Sequence, residues 1–173
     1  MTTLVLGLGN VLCADDGAGI AALVMLQRGW LLPPEVAAVD GGTLGLSLLP
    51  LLEDADRVLI IDAILADGPP GTLVRLSGAE VPTAVHTRLS PHQVGVADLL
   101  DALRLGGSDD EALVLHGVVP ASIELCLQRS PAVAAALPAL VERVVAELRS
   151  WGLPLVPRRG DYTLDRAHHA LGL

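Results

Sequence analysis

Short runs made mainly of apolar residues recur along the chain, and several of them end in glycine or aspartate. The runs cover residues 4–6, 36–39, 57–61 and 112–119. The first ends at Gly7, the second at Asp40 and the third at Asp62. Runs of this length without polar alternation are typical of strands that are covered on both faces of a parallel sheet.

The segments between these runs predict helices and one returning strand. Residues 20–28 follow the first run as an apolar helix, and residues 44–52 predict a second helix bent at Pro50. Residues 63–71 are too few for a crossover helix, so residues 72–76 should return antiparallel.

Two serine-proline pairs predict where further helices begin. Ser90 is an N-cap with Pro91 in the first helical position, and Ser130 and Pro131 repeat that pattern before a terminal helix. We expect the terminal helix to reach about residue 150, with an interruption at Pro138.

This order of elements predicts an α/β fold with three layers, α/β/α, in a single domain. Its sheet should be mostly parallel and twisted, with about five strands, one of them antiparallel. Residues 1–157 form the predicted domain, and residues 158–173 form a C-terminal tail in which the pattern is lost.

The composition of the chain limits which classes of binding partner are expected. The 173 residues carry a formal charge of −9, which argues against nucleic acid, whose binding requires basic clusters. No signal peptide or membrane span is expected from the pattern. Cys13 and Cys126 belong to no C-x-x-C pair, which predicts free thiols and a cytoplasmic location. We expect a monomer by default.

The loop after the first strand is the first candidate site. Gly7 and Gly9 suggest a dinucleotide-binding turn, but Leu12 stands where the third glycine of that motif is needed. The loop also carries Asp15 and Asp16, at the carboxyl edge of the sheet where α/β proteins bind ligands. A metal cation is therefore a better candidate than a pyrophosphate.

Three residues at this predicted edge form a candidate metal site. Asp16 follows the first strand, Asp62 ends the third, and His92 lies in a first helical turn that disfavours the charged imidazole. Two carboxylates and one neutral imidazole suit Zn, Ni or Fe and leave coordination positions of the ion open for other ligands.

Each candidate also has a purely structural interpretation. Asp15 and Asp16 are possible helix caps, Asp62 a possible turn residue, and His92 a possible surface residue. Asp40 fits a functional loop or an Asx turn equally well. The remaining candidates, Cys13, His86 and His116, are interpreted as structural.

Four ordered segments resemble the maturation endopeptidases of nickel-iron hydrogenases. They are GLGNVLCADDGAGI from Gly7, DGGTLG from Asp40, RVLIIDA from Arg57 and SPHQVGVADLL from Ser90. The resemblance implies removal of a short C-terminal extension from the precursor of the hydrogenase large subunit after nickel insertion. The metal-contacting positions of the family fall on Asp16, Asp62 and His92.

The resemblance also implies details of the site. The glycine loop at residues 40–45 would handle the substrate, and Ala121 replaces an acidic residue that is frequent in the family. Nickel would come with the precursor, and Zn or Cd could replace it in a crystal. The ion would polarise the scissile carbonyl for attack by water, with Asp16 or Asp40 as the base.

Two other classes of function remain open from the sequence. The chain could be a nickel carrier that cuts nothing, which would hold nickel tightly without processing a precursor. It could also be a small-molecule hydrolase on a related scaffold, which would need an enclosed pocket rather than an open groove.

Overall fold

The computed structural model describes residues 1–87, 93–105 and 112–158. The first loop, residues 9–17 between the first strand and the first helix, contains a short 3-10 turn at Ala14–Gly17, and a second 3-10 turn at Gly45–Leu48 starts at the last residue of the glycine loop. The strands and helices, in chain order, are β1 (Thr3–Leu8), α1 (Ala18–Gly29), β2 (Trp30–Leu31), β3 (Val36–Gly42), α2 (Leu49–Glu53), β4 (Arg57–Ala63), β5 (Leu73–Ser77), α3 (Glu80–Thr87), α4 (Gln93–Leu105), β6 (Leu113–Val118), α5 (Pro131–Ser150) and β7 (Val156–Pro157).

Five of the strands form one mixed sheet in the order β3-β1-β4-β6-β5. The neighbours from β3 to β6 pair in parallel, and β5 pairs antiparallel with β6. The predicted sheet, with its single antiparallel strand, is therefore confirmed. β1 and β4 lie inside the sheet, which explains why their sequences are apolar without alternation.

Helices cover both faces of the sheet. Leu59 and Ile61 of β4 pack in a core with α1 and α5, whereas Ile60 packs in a second core with α2 and α4. Successive side chains of a strand point to opposite faces, so one strand contributes to both cores. The predicted three-layer architecture is confirmed.

The structure corrects two predicted helices. The segment predicted as a helix over residues 44–52 is a 3-10 turn followed by the short α2, in which Pro50 occupies the first turn. α5 runs continuously through Pro138, with Ser130 as its N-cap. Seven buried residues along α5 anchor it on the sheet, and this packing outweighs the hydrogen bond that Pro138 cannot make.

Other elements were absent from the sequence prediction. α3 follows β5, and β2 pairs with β7 in a small antiparallel ribbon. Arg158 extends this attachment, because its backbone N–H donates to Gly29 O at 2.9 Å. The predicted tail is thus anchored at its first residue, and its remainder, residues 159–173, lies outside the described residues. The predicted cap at Ser90 and Pro91 also lies outside them.

Within the described part of the chain, no helix is long and apolar enough to cross a membrane.

Candidate active site

The carboxyl ends of β1, β3 and β4 meet at one edge of the sheet, where the first loop begins. Gly7 pairs with both Asp40 and Ile61, so these strands end at the same level. Gly9 then turns the chain at φ +123°, and a β-carbon there would overlap the carbonyl oxygen of Asp16. Glycine is required at this position because the first loop folds directly back over it.

Asp16 is held inside this loop. Its side chain is buried, and its Oδ2 accepts a hydrogen bond from the backbone N–H of Asn10 at 2.9 Å. The side chain of Asn10 in turn accepts from Leu12 N at 3.0 Å, which shapes the loop locally. The Ala14–Gly17 turn packs against β4, the strand that carries Asp62. Asp16 is therefore fixed at the edge predicted for it.

Asp15 has a different role from its neighbour. It is fully buried, and its carboxylate accepts three backbone hydrogen bonds, from Ala121 N at 2.8 Å, Ser122 N at 3.3 Å and Ser130 N at 2.7 Å. Burial lowers the pKa of Arg129, and the nearby Asp15 carboxylate partly offsets that effect. Asp15 thus anchors the loop between β6 and α5.

The interpretation of Asp15 as a cap for α1 is wrong. The N-cap of α1 is Gly17, which has no side-chain cap, and the Asp15 carboxylate turns away to residues 121–130. Sequence analysis missed this anchoring role. The adjacent acidic pair signalled a functional loop but did not show that its two members face different partners.

Asp62 lies next to last in β4 and is buried. Its Oδ1 accepts from the backbone N–H of Ala63 at 2.7 Å, so the carboxylate is fixed at the strand end. The alternation along β4 places Ile61 toward α1 and α5, and so Asp62 lies on the opposite face, toward α2 and α4.

Asp40 is exposed at the same edge. Its Oδ1 accepts from Gly42 N at 3.0 Å, which is the Asx-turn contact considered for it. Gly42 O accepts from Gly9 N at 3.0 Å and links the glycine loop to the first loop. Asp40 is therefore accessible beside the site, and its role as a base stays a prediction.

The third predicted ligand, His92, lies outside the described residues. The helix that follows it, α4, begins at Gln93, and Gly95 packs closely against Gly45 of the glycine loop. Across residues 1–87, 93–105 and 112–158, no three His, Cys, Asp or Glu side chains are grouped to hold a metal ion. The predicted metal set of Asp16, Asp62 and His92 therefore stays a prediction.

The two described members of that set have the chemistry that a divalent cation needs. Carboxylate oxygens bind such ions well, and carboxylates fixed by backbone donors lose little freedom on binding. Asp16 and Asp62 are both buried and both fixed by backbone N–H groups. The edge is thus suited to bind a cation brought to it.

A second polar cluster lies between β5, β6 and α5 and consists of Arg75, His116 and Glu147; we call it the His116 cluster. Glu147 accepts two hydrogen bonds from Arg75, at 2.7 and 2.9 Å, and its Oε2 lies 3.1 Å from His116 Nε2. The hydrogen bonds from Arg75 lower the pKa of Glu147, whereas burial lowers the pKa of His116.

The His116 cluster agrees with the structural interpretation of His116. The side chain of His86, interpreted in the same way, is outside the described part of the chain.

Comparison with known proteins supports the resemblance seen in the sequence. Residues 20–147 match the family model of the hydrogenase maturation proteases, HycI. The chain is 40% identical over 159 residues to the hydrogenase 2 maturation protease of Escherichia coli strain K12, covering 91% of this chain and 97% of that protein.

Solved structures agree with the sequence comparison. The hydrogenase maturating endopeptidase HybD from Escherichia coli superposes with a TM-score of 0.86 at 40% identity, covering 91% of this chain and 98% of that one. The [NiFe] hydrogenase maturation protease HybD from Thermococcus kodakarensis gives a TM-score of 0.70 at 31% identity, covering 85% of this chain and 99% of that one. Both the sequence and the fold therefore identify the chain as a peptidase, and it belongs to the hydrogenase maturation protease family.

Proposed function

We propose that this protein recognises nickel already inserted into the precursor of a nickel-iron hydrogenase large subunit and then removes the precursor's short C-terminal extension. Membership of the maturation protease family supports the reaction class. The observation that carries the proposal is the burial of Asp16 and Asp62 at one edge of the sheet, each held by a backbone N–H.

In this proposal nickel belongs to the substrate. The carboxylates of Asp16 and Asp62, together with His92, complete the coordination of the ion that the precursor carries. A precursor without nickel presents no cation to these carboxylates and docks poorly. The metal therefore acts as a checkpoint that makes cleavage follow nickel insertion.

The chemistry proposed is hydrolysis of one peptide bond. The ion withdraws electron density from the scissile carbonyl, and water attacks the carbonyl carbon. Asp16 or Asp40 accepts a proton from that water, the C–N bond breaks, and the new amine takes up a proton. Asp40 is exposed and can exchange its proton with solvent, whereas Asp16 is buried beside the proposed ion.

We infer further that the enzyme works as a monomer in the cytoplasm. The pair of cysteines without a C-x-x-C motif supports a reducing compartment. Sedimentation of the purified protein tests the oligomeric state, and a stable dimer would contradict it.

The decisive experiment compares two precursors that differ only in nickel. Purified enzyme is mixed with nickel-loaded and nickel-free large-subunit precursor, and release of the C-terminal peptide is followed by mass spectrometry. We expect cleavage of the loaded precursor only. Equal cleavage of both would contradict the checkpoint. Stoichiometric transfer of nickel to the protein without any cleavage would instead indicate a carrier.

A further inference from the structure

The two cysteines of the chain lie far apart in the sequence but are neighbours in the fold. Cys13 and Cys126 face each other across an isolated parallel bridge. Cys126 N donates to Leu12 O at 2.9 Å, and Ala14 N donates to Cys126 O at 2.6 Å. These two hydrogen bonds set the separation of the two cysteines.

The bridge brings the two backbones within the spacing that a disulfide needs. Backbones paired in this way lie about 4.8 Å apart, which is inside the range of roughly 4.4–6.8 Å between the α-carbons of disulfide-bonded cysteines. Cys126 is exposed and Cys13 is partly exposed, so a small oxidant can reach the pair. Cys126 Sγ now accepts from Gln128 N at 3.4 Å, and a rotation of its side chain would release it toward Cys13.

A disulfide between these two cysteines would join the first loop to the loop between β6 and α5. Cys13 lies three residues before Asp16, in the first loop, and Cys126 lies in the loop that Asp15 anchors. Ala14, the residue after Cys13, has φ +47°, an unfavourable value for a residue with a β-carbon. Its N–H bond to Cys126 O helps to hold this conformation. The shape of the first loop therefore depends on its contact with residues 121–130.

We propose that Cys13 and Cys126 are a reversible redox pair, reduced in the resting cell, that closes to a disulfide when low-molecular-weight disulfides such as oxidised glutathione accumulate. The disulfide fastens the first loop covalently to the loop between β6 and α5. Its closure does not depend on nickel recognition, so the proposal stands apart from the proposed function.

The chemistry is two successive thiol–disulfide exchanges. The exposed Cys126 thiolate attacks one sulfur of oxidised glutathione and releases one glutathione thiolate. The Cys13 thiolate then attacks Cys126 Sγ, the mixed disulfide breaks, and a second glutathione leaves. Two protein thiols lose two protons and two electrons in total, and glutathione disulfide is reduced to two molecules of glutathione.

The test is a titration of the full-length protein in glutathione buffers of increasing oxidised fraction. After alkylation of free thiols, mass spectrometry should show a monomer that has lost two hydrogens and both reactive thiols. Because the chain has two cysteines, any intramolecular disulfide is this one. Dithiothreitol should restore the reduced mass.

Matched variants separate this pair from random oxidation. Cys13→Ser should stop at a mixed disulfide between Cys126 and glutathione, and Cys126→Ser should react more slowly because Cys13 is less exposed. Oxidation should raise the Tm of the wild type by roughly 5–10 °C and leave the Tm of either variant without that rise.

The readout of loop closure is limited proteolysis within residues 121–130, which should slow on oxidation of the wild type alone. A disulfide that forms only between two copies of the chain would overturn the proposal. Persistence of the mixed disulfide in the wild type at every glutathione ratio would overturn it as well.

Discussion

The His116 cluster and the carboxylates at the sheet edge both contain buried ionisable groups, but the cluster joins β5, β6 and α5, whereas the carboxylates lie where strands end in loops. Glu147 in the cluster accepts two hydrogen bonds from the Arg75 guanidinium and contacts His116. Asp16 and Asp62 at the edge accept hydrogen bonds from backbone N–H groups. A guanidinium brings a full positive charge, whereas a backbone N–H brings only a dipole.

This difference separates a structural cluster from a binding site. The ion pair of Arg75 and Glu147 ties β5 to α5, so its main effect is on stability. A carboxylate held by backbone N–H groups at the carboxyl ends of parallel strands lies where α/β proteins bind ligands. Asp15 stands between the two cases, because it combines three backbone donors with a nearby Arg129 and serves to fix a loop.

The largest expected effect is on catalysis at the edge. Asp16→Asn and Asp62→Asn should each lower the rate of precursor processing by roughly 100-fold or more, because the amide removes the charge that binds the ion. Both variants should remain folded, and their processing rates are compared at equal amounts of folded protein. Asp67→Asn, at an exposed loop position, is the matched control and should process normally. Full activity in Asp16→Asn would remove the basis of the comparison.

The next effect is on stability at the His116 cluster. Glu147→Gln should lower the free energy of unfolding by about 2 kcal/mol, because it weakens the charged hydrogen bonds to the exposed Arg75 and to the buried His116. Chemical denaturation measures the loss. Processing by the folded fraction should be unchanged. A loss of activity without a loss of stability would place this cluster in the catalytic machinery and contradict its structural assignment.

An effect of similar size distinguishes the two adjacent aspartates. Asp15→Asn should cost about 2 kcal/mol of stability, because one backbone donor is left without its acceptor. The folded protein should still process its precursor. The same chemical change at Asp16 should instead abolish processing by protein that remains folded. Denaturation and processing assays on the two variants side by side test this contrast.

The smallest effect is the pH dependence that His116 contributes. Its pKa is lowered by burial from an ordinary value of 6.5, so the unfolded chain binds more protons than the folded one just below that value. This contribution is present above about pH 6.5 and is lost as the pH falls through the window beneath it. The free energy of unfolding should therefore rise with pH in this window.

His116→Gln should flatten that rise. Glu147, whose pKa is also lowered, contributes a separate loss only as the pH falls below its ordinary value of 4.5. Denaturation curves of wild type and variant at several pH values between these limits isolate His116. An equally steep rise in the variant would assign the pH dependence to another group.

Much of the fold could be predicted from local patterns. The apolar runs at β1, β4 and β6 identified buried strands, the short segment before β5 predicted its antiparallel return, and the strand ends placed Asp16, Asp40 and Asp62 at one edge. These features could be predicted from the sequence because burial on two faces, turn length and strand direction each depend on residues that are close together in the chain.

Other features depend on contacts between distant residues and were decided only by tertiary structure. The continuity of α5 through Pro138 depends on the packing of this helix against the sheet. The different roles of Asp15 and Asp16 depend on the position of the loop after β6, whose backbone donates to Asp15. The pairing of Cys13 with Cys126 arises in the same way. Local sequence shows which chemical groups are available, but long-range packing decides which backbone N–H or side chain each of them meets.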